Sequence, residues 1–337
     1  MHMADALIVP AVAGTMYVAS TLAAGKSVKE VRLENDTKKI PLMGVMGAFV
    51  FATQMINFTI PGTGSSGHLC GGMMLSALLG PYAGFLTMIG VLLVQCLFFA
   101  DGGLLALGCN IWNMAFYGCF VGALLIWRPM MKKGITKGKI VAASMLGCIL
   151  TLQLGAFSVC LETFISGVTE LPFAVFVATM QPIHLAIGAV EGLITSAVLV
   201  FVHEARPELL WGTTQSEEGK LSFGKTIGVL AVLAALIGGI LSLFASSFPD
   251  GLEWSIARIT GDTELEAAGG AYDVFASIQE KTSFLPDYAF SGSDSAAGTT
   301  VSGIAGALIV LGVCVLASYA FRFFKNNKKT VTVNEQD

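Results

Sequence analysis

The sequence predicts an all-α polytopic membrane protein with about nine transmembrane helices, and three observations predict it. Hydrophobic residues make up 54% of the 337 and charged residues only 12%, against roughly 25% charged in soluble domains. Mean hydropathy is +0.74. Apolar runs close to the ~20 residues a spanning helix needs recur at about 6–24, 40–58, 84–100, 107–127, 139–160, 176–202, 225–247 and 300–323, with a shorter one at 68–81 ending in Gly80-Pro81.

The first run is not a cleavable signal peptide, because no basic stretch precedes it and one follows it instead. The short run is decided by charge. If it crosses, nine crossings from an outside amino terminus put Lys26, Lys29, Arg32, Lys38 and Lys39 inside. They do the same for Arg128, Lys132, Lys133, Lys137 and Lys139, then Arg206, Lys220 and Lys225, then Arg322, Lys325, Lys328 and Lys329. Only Arg258 and Lys281 are left outside, so 17 of the 19 basic residues obey the positive-inside rule. The net charge of −4 adds little. The seven cysteines lie in or beside apolar runs without CxxC spacing and read as small packed residues.

Composition divides the chain into zones. Residues 1–210 carry seven helices, 211–224 form a polar cytoplasmic linker, 225–330 a two-helix hairpin with an acidic outer loop, and 331–337 a cytoplasmic tail. The outer loop, about 248–299, holds nine acidic residues, Asp250, Glu253, Asp262, Glu264, Glu266, Asp273, Glu280, Asp287 and Asp294, against two basic ones.

Chemistry concentrates at the outer end. The chain opens Met1-His2-Met3-Ala4-Asp5. A retained Met1 offers its free amine, the His2 amide nitrogen and the His2 imidazole, which close two fused chelate rings in one plane. Tetragonal nitrogen suits Ni(II) or Cu(II), with Co(II) accessible, and leaves a corner for a fourth donor. Between the second and third helices, Asn57-Phe58-Thr59-Ile60-Pro61-Gly62-Thr63-Gly64-Ser65-Ser66-Gly67-His68-Leu69 is too polar and glycine-rich to face lipid as a helix, so it is expected to be buried in protein or to line a cavity. His68 closes this loop on the same outer side as Met1 and can be the missing donor. His184 and Glu191, seven apart on one helix face, are ionisable residues inside a membrane segment. They either pin helices together or, with Asn57, orient the ligands from behind. Gln54 and Asn57 lie three apart and either line the same cavity or join helices.

Other chemistries are poorly supported. Ser20 to Ser27 spells a degenerate phosphate loop without its first glycine or a preceding strand. Asn57-Phe58-Thr59 is a glycosylation sequon in an apolar context. There is no His-Glu-x-x-His and no nucleophile paired with a base, so no catalytic residues are assigned and no enzyme activity is expected.

Met1-His2-Met3, Gln54-Met55-Ile56-Asn57-Phe58, Pro61 to Leu69, Leu79-Gly80-Pro81, Phe99-Ala100-Asp101-Gly102-Gly103-Leu104, Gly108-Cys109-Asn110-Ile111 and His184 to Thr195 together resemble the CbiM/NikM substrate-binding membrane proteins of energy-coupling factor (ECF) transporters for cobalt and nickel. The resemblance spans about residues 1–205. Ser247-Phe248-Pro249-Asp250-Gly251-Leu252-Glu253 and Leu285-Pro286-Asp287-Tyr288 resemble the CbiN/NikN accessory subunit, so the chain looks like a fused M–N protein.

The resemblance implies a seven-helix ECF substrate-binding bundle plus a two-helix hairpin, with metal held by Met1, His2 and His68. It implies Ni²⁺ or Co²⁺ as transported substrate, cobalt-type members serving cobalamin biosynthesis, and no cofactor of the chain's own. The implied partners are a transmembrane coupling protein of the CbiQ/NikQ type, ATPase subunits of the CbiO/NikO type and the lipid bilayer, with no nucleic acid. The implied location is a bacterial or archaeal cytoplasmic (inner) membrane, amino terminus outside and carboxyl terminus cytoplasmic. Met3-Ala4-Asp5 departs from the Ile-Met-Glu-Gly of many cobalt-type members and leaves Ni²⁺ or Co²⁺ open. The rival is an autonomous ion-coupled secondary carrier, which needs acidic relays and an inverted repeat; only Glu191, Asp101 and Glu162 are available for the first.

Overall fold

A computed structural model describes residues 1–31, 33, 38–213, 219–290, 292 and 295–334, the side chains of 324–334 excepted. Arg32, linker residues 214–218, Asp294, tail residues 335–337 and the side chains of Lys325, Lys328 and Lys329 therefore lie outside what is described. Among the described residues, each of the nine apolar runs carries a helix. They are α1 (Pro10–Glu30), α2 (Lys39–Gln54), α3 (Gly72–Leu79), α4 (Pro81–Phe99), α5 (Leu107–Met131), α6 (Lys137–Ile165), α7 (Phe173–Ala205), α8 (Phe223–Gly239) and, after the outer loop, a last helix from Ala296. The loop itself holds α9 (Gly251–Thr260) and α10 (Ala271–Thr282), so the last helix, Ala296–Asn334, is α11.

Five of these, α4, α5, α6, α7 and α11 from Ala296 to Phe323, are long and apolar enough to cross a membrane, and α2 and α8 are shorter apolar helices. The crossing read at 68–81 is a half-helix. With 8 residues, α3 covers only about 12 Å. Irregular backbone makes up the remaining depth, tolerated because α3 and residues 65–71 are buried in protein. Gly80 then turns the chain so that Pro81 starts α4 in the first helical position, where its missing N–H costs nothing. In α5, residues Ile111–Trp127 wind with wider i→i+5 hydrogen bonds, a feature with no sequence signature.

The glycine-rich stretch adds one element that helix periodicity does not anticipate. Phe58–Ile60 (β1) and Ser65–Gly67 (β2) form an antiparallel hairpin in the register Phe58 to Gly67, Thr59 to Ser66 and Ile60 to Ser65. Its turn uses Gly62 and Gly64 at φ +77° and +75°, backbone that only glycine adopts at little cost.

α6 pairs with α7 along its length, and the C-terminal helices α8 and α11 pack against α2 and each other. The outward faces of α6 and α7 expose Leu146, Leu150, Leu154, Phe157, Leu161, Leu185 and Leu193, as a lipid-facing surface requires. One end of the bundle gathers charge: Lys137 pairs with Glu204, Arg206 with Glu208, and Lys38 lies 5.7 Å from the Phe223 ring centroid. The opposite end receives Met1, the β-hairpin and the outer loop.

Close approach of α1 to α5 rests on Gly108. A Cβ there would fall 2.6 Å from the Tyr17 backbone nitrogen, and Ser20 Oγ donates to the Gly108 carbonyl at 2.8 Å. Gly108→Ala is therefore expected to push α1 outward and cost about 1–3 kcal/mol, read as a lower melting temperature in detergent; an unchanged melting temperature would show that the contact is dispensable.

Candidate metal site

The first residues are drawn into the bundle: Met1 is 4% exposed and Met3 0%. Met3 is clamped, its N–H donating to Asn110 Oδ1 at 2.7 Å and its carbonyl accepting from Asn110 Nδ2 at 3.1 Å and the Gly103 N–H at 2.9 Å. Two motifs singled out in the sequence, Phe99–Leu104 and Gly108–Ile111, thus position the amino terminus. Asp5 reinforces them by accepting the Ala106 N–H at 2.9 Å.

Of the sequence-derived residues, Met1, His2 and His68 come together. The Met1 amine lies 3.0 Å from His68 Nε2. Two nitrogens bound at right angles to one ion at ~2.0–2.1 Å are about 2.9 Å apart, so this pair already has ligand spacing. His68 Nδ1 donates to the Leu69 carbonyl at 3.0 Å, which leaves Nε2 with its lone pair free toward the amine. The His2 and His68 rings stack, with centroids 5.2 Å apart and planes at 21°. His2 Nδ1, the nitrogen that would close the second chelate ring, is turned to Asp101 Oδ1 at 3.0 Å, and Nε2 lies 3.3 Å from Gln95 Oε1. Burial pushes the His2 imidazole down to about 4, so it is neutral at physiological pH, the state a metal needs. Among the described residues no three His, Cys, Asp or Glu side chains converge on one point; the donors gathered here are an amine and imidazoles.

Of the residues proposed to stand behind the ligands, Glu191 acts through the backbone. Its carboxylate accepts the Cys70 N–H at 3.1 Å and the Gly71 N–H at 2.9 Å, anchoring the chain two residues after His68. His184 is 1% exposed and, with Met1 and His68, lines a small void. Asn57 lines the outer cavity, and its carbonyl accepts the Ser246 N–H at 2.7 Å.

Sequence reasoning missed Asp250 as a site residue. Asp250 Oδ2 pairs with the Met1 amine and lies 3.6 Å from His68 Nε2. Its other oxygen caps α9, accepting the Leu252 N–H at 2.7 Å and the Glu253 N–H at 3.0 Å, while Glu253 Oε2 accepts the Asp250 N–H at 2.9 Å. This is a reciprocal capping box, and its Asp-x-x-Glu spelling was legible in the sequence. Burial disfavours both charges, yet their attraction wins: it holds the amine above its ordinary value of 8.0 and the Asp250 carboxyl well below 3.8. The segment is tied down by the β-hairpin. Ser66 N–H donates to the Pro249 carbonyl at 2.8 Å, Ser66 Oγ to the Phe248 carbonyl at 2.7 Å, and Trp254 Nε1 to the Thr63 carbonyl at 3.0 Å.

Above the site lies a cavity of about 670 Å³ floored by His2 and His68 and walled by Asp5, Asp101, Asp250, Glu253, Glu264, Glu266 and Asp287, with no lysine or arginine among the described residues that line it. Gln279 Nε2 closes its side by donating to the Gly102 carbonyl at 2.8 Å, and Tyr288 donates to Asp101 Oδ2 at 2.5 Å. Such a concave, single-sign field concentrates cations.

The fold and the site define a polytopic membrane protein with a nitrogen-rich pocket buried at one end of its bundle, under an acidic vestibule. Residues 2–209 match the family model described as the cobalt uptake substrate-specific transmembrane region, CbiM, and residues 224–323 match the PDGLE domain. The chain belongs to the CbiM family. It is 35% identical over 317 residues, covering 93% of this chain and 96% of the other, to a putative fused nickel transport protein NikMN of Archaeoglobus fulgidus. It is 29% identical to a probable fused nickel transport protein LarMN of Lactiplantibacillus plantarum, covering 92% and 95% of the two chains. A crystal structure of a truncated transition metal transporter superposes with a TM-score of 0.53 at 29% identity, covering 60% of this chain and 99% of that one.

Proposed function

We propose that this chain is the substrate-capture subunit of an ATP-driven ECF-type transporter that imports Ni²⁺ or Co²⁺. The observation that carries the reading is the Met1 amine at 3.0 Å from His68 Nε2 with the His2 ring stacked beside them. Hydrated metal collects in the acidic vestibule, which faces outward because the basic ends of α2, α6 and α8 lie at the opposite end of the bundle. It then exchanges water for the amine, the deprotonated His2 amide, His2 Nδ1 swung away from Asp101, and His68 Nε2. Four nitrogens in a plane favour Ni²⁺. The chain itself hydrolyses nothing; a CbiQ/NikQ-type coupling protein and CbiO/NikO-type ATPases supply the drive.

The test is Ni²⁺ titration of the purified chain, read by the d–d band of a planar complex, followed by uptake in cells with and without the coupling and ATPase proteins. Binding without a planar band would reject the donor set, and full uptake by the chain alone would reject the ECF mode in favour of an autonomous carrier. Binding must expel protons from the amine, which Asp250 holds charged, and from the amide, whereas His2 is already neutral above about 4. Ni²⁺ affinity is therefore expected to fall as the pH drops from 8 to 6. A flat pH profile in competition titrations would refute amide and amine ligation.

A further inference from the structure

His184 is 1% exposed and sits on α7 two residues after Pro182. Its Nδ1 donates to the Met180 carbonyl at 2.8 Å. The proton is thereby placed on Nδ1, and Nε2, left with its lone pair, is buried without a partner among the described residues. Such an atom calls for an occupant, because a buried acceptor left unpaired is costly. Histidines that ligate metals almost always donate their second nitrogen to a carboxylate, a water or, as here, a backbone carbonyl. His68 is set identically, through Leu69. Both side chains line one void of about 10 Å³, together with Met1, Cys70 and Asp250, room for about one water or one ion.

The C-terminal domain closes that void. A Cβ on Gly251 would lie 3.0 Å from His184 Cε1 and 2.8 Å from Ile187 Cδ1, so glycine next to Asp250 is what keeps the space open. Next to it, a second void of similar size is lined by Cys70, Asn113 and Glu191, and Asn113 Oδ1 is likewise buried and unpartnered among the described residues. Unsatisfied metal-competent donors thus continue from the capture site into the bundle.

We propose that the void between His68 and His184 is an inner station for the transported divalent ion. The inference rests on the capture reading above. The ion leaves the Met1 amine and the His2 nitrogens, keeps His68 Nε2, and gains His184 Nε2 and the Asp250 carboxylate. This mixed nitrogen and oxygen set has no planar preference and holds the ion less tightly, as onward release requires. The side chains stand somewhat apart, since no three such groups converge on one point among the described residues; the ion gathers them.

The test uses the full chain with His2→Gln, which removes the planar chelate, and titrates it with Co²⁺. One Co²⁺ per chain with the intense visible bands of a low-coordinate site is expected, and His184→Gln in the same background should weaken it at least tenfold. Gly251→Ala, which fills the void from the other domain, should do the same, whereas His203→Gln should not. No Co²⁺ bound by the His2→Gln chain, or binding insensitive to both His184→Gln and Gly251→Ala, overturns the proposal. If those variants do not fold, pulsed EPR of Cu²⁺ on the His2→Gln chain decides: two imidazoles support the station, and one or none overturns it. The planar band of the unsubstituted chain is read separately, so failure of the capture site and failure of the station are distinguishable.

Discussion

His2→Gln is expected to abolish the planar Ni²⁺ complex and weaken Ni²⁺ binding by at least about a thousandfold, or ~4 kcal/mol at 1.4 kcal/mol per factor of ten. The amine and the His2 nitrogens are donors together because consecutive covalent bonds place them on adjacent corners of one ion; glutamine keeps the amine beside His68 but removes the imidazole that closes the second ring and secures the amide on the metal. Nothing in the helical bundle needs to change, because Met3 remains clamped by Asn110 and Gly103. His68→Ala serves as comparison, since it removes the corner outside the fused rings and should retain a weaker complex. Measurement is by competition with a chelator of known affinity. Undiminished binding by His2→Gln would refute the chelate outright.

Asp250→Asn is expected to separate the stability of the metal-free protein from its metal chemistry. In the metal-free chain the buried ammonium of Met1 and the Asp250 carboxylate hold each other charged. Removing one partner of a buried pair costs about 3–5 kcal/mol unless the survivor gives up its charge. The amine can do so by losing its proton, which lowers the cost but still leaves the variant less stable than wild type.

The signs follow from linkage. The amine value is raised, so its contribution is present below 8.0 and lost as pH climbs through the raised value; the Asp250 value is lowered, so its contribution is present above 3.8 and lost as pH falls. The metal-free melting temperature of wild type should therefore be highest between those limits, and Asp250→Asn should flatten that profile. Ni²⁺ binding to wild type at pH 7 should release roughly two protons, from ammonium and amide, and binding to the variant nearer one. Calorimetry in two buffers of different ionisation enthalpy measures the number. An unchanged melting profile together with unchanged proton release would show that Asp250 is not the ammonium's partner.

Much of this was legible in the residues themselves. The nine apolar runs became nine helices because in lipid every backbone group must be bonded within its own segment, which makes hydropathy a direct reading of fold. His68 could be picked out because a polar, glycine-rich stretch has only a few ways to exist at membrane depth. Met1-His2 could be proposed as a chelate because its donors are neighbours along the chain. The β1–β2 hairpin was not foreseen: three-residue strands carry no period, and their pairing is held by Pro249 and Phe248 from far along the chain. The wide winding of Ile111–Trp127 left no trace in composition either.

Local sequence by itself thus determined where the apolar helices lie, how the basic residues group between them, and which consecutive atoms can close rings around a metal, all properties set within a few residues. Tertiary structure alone decided that Asp250, 249 positions from Met1, is the counter-charge of the amine, that Glu191 steadies the chain after His68, and that His184 faces the same void as both. Those relations depend on packing between segments that share no local pattern, so only the folded chain could supply them.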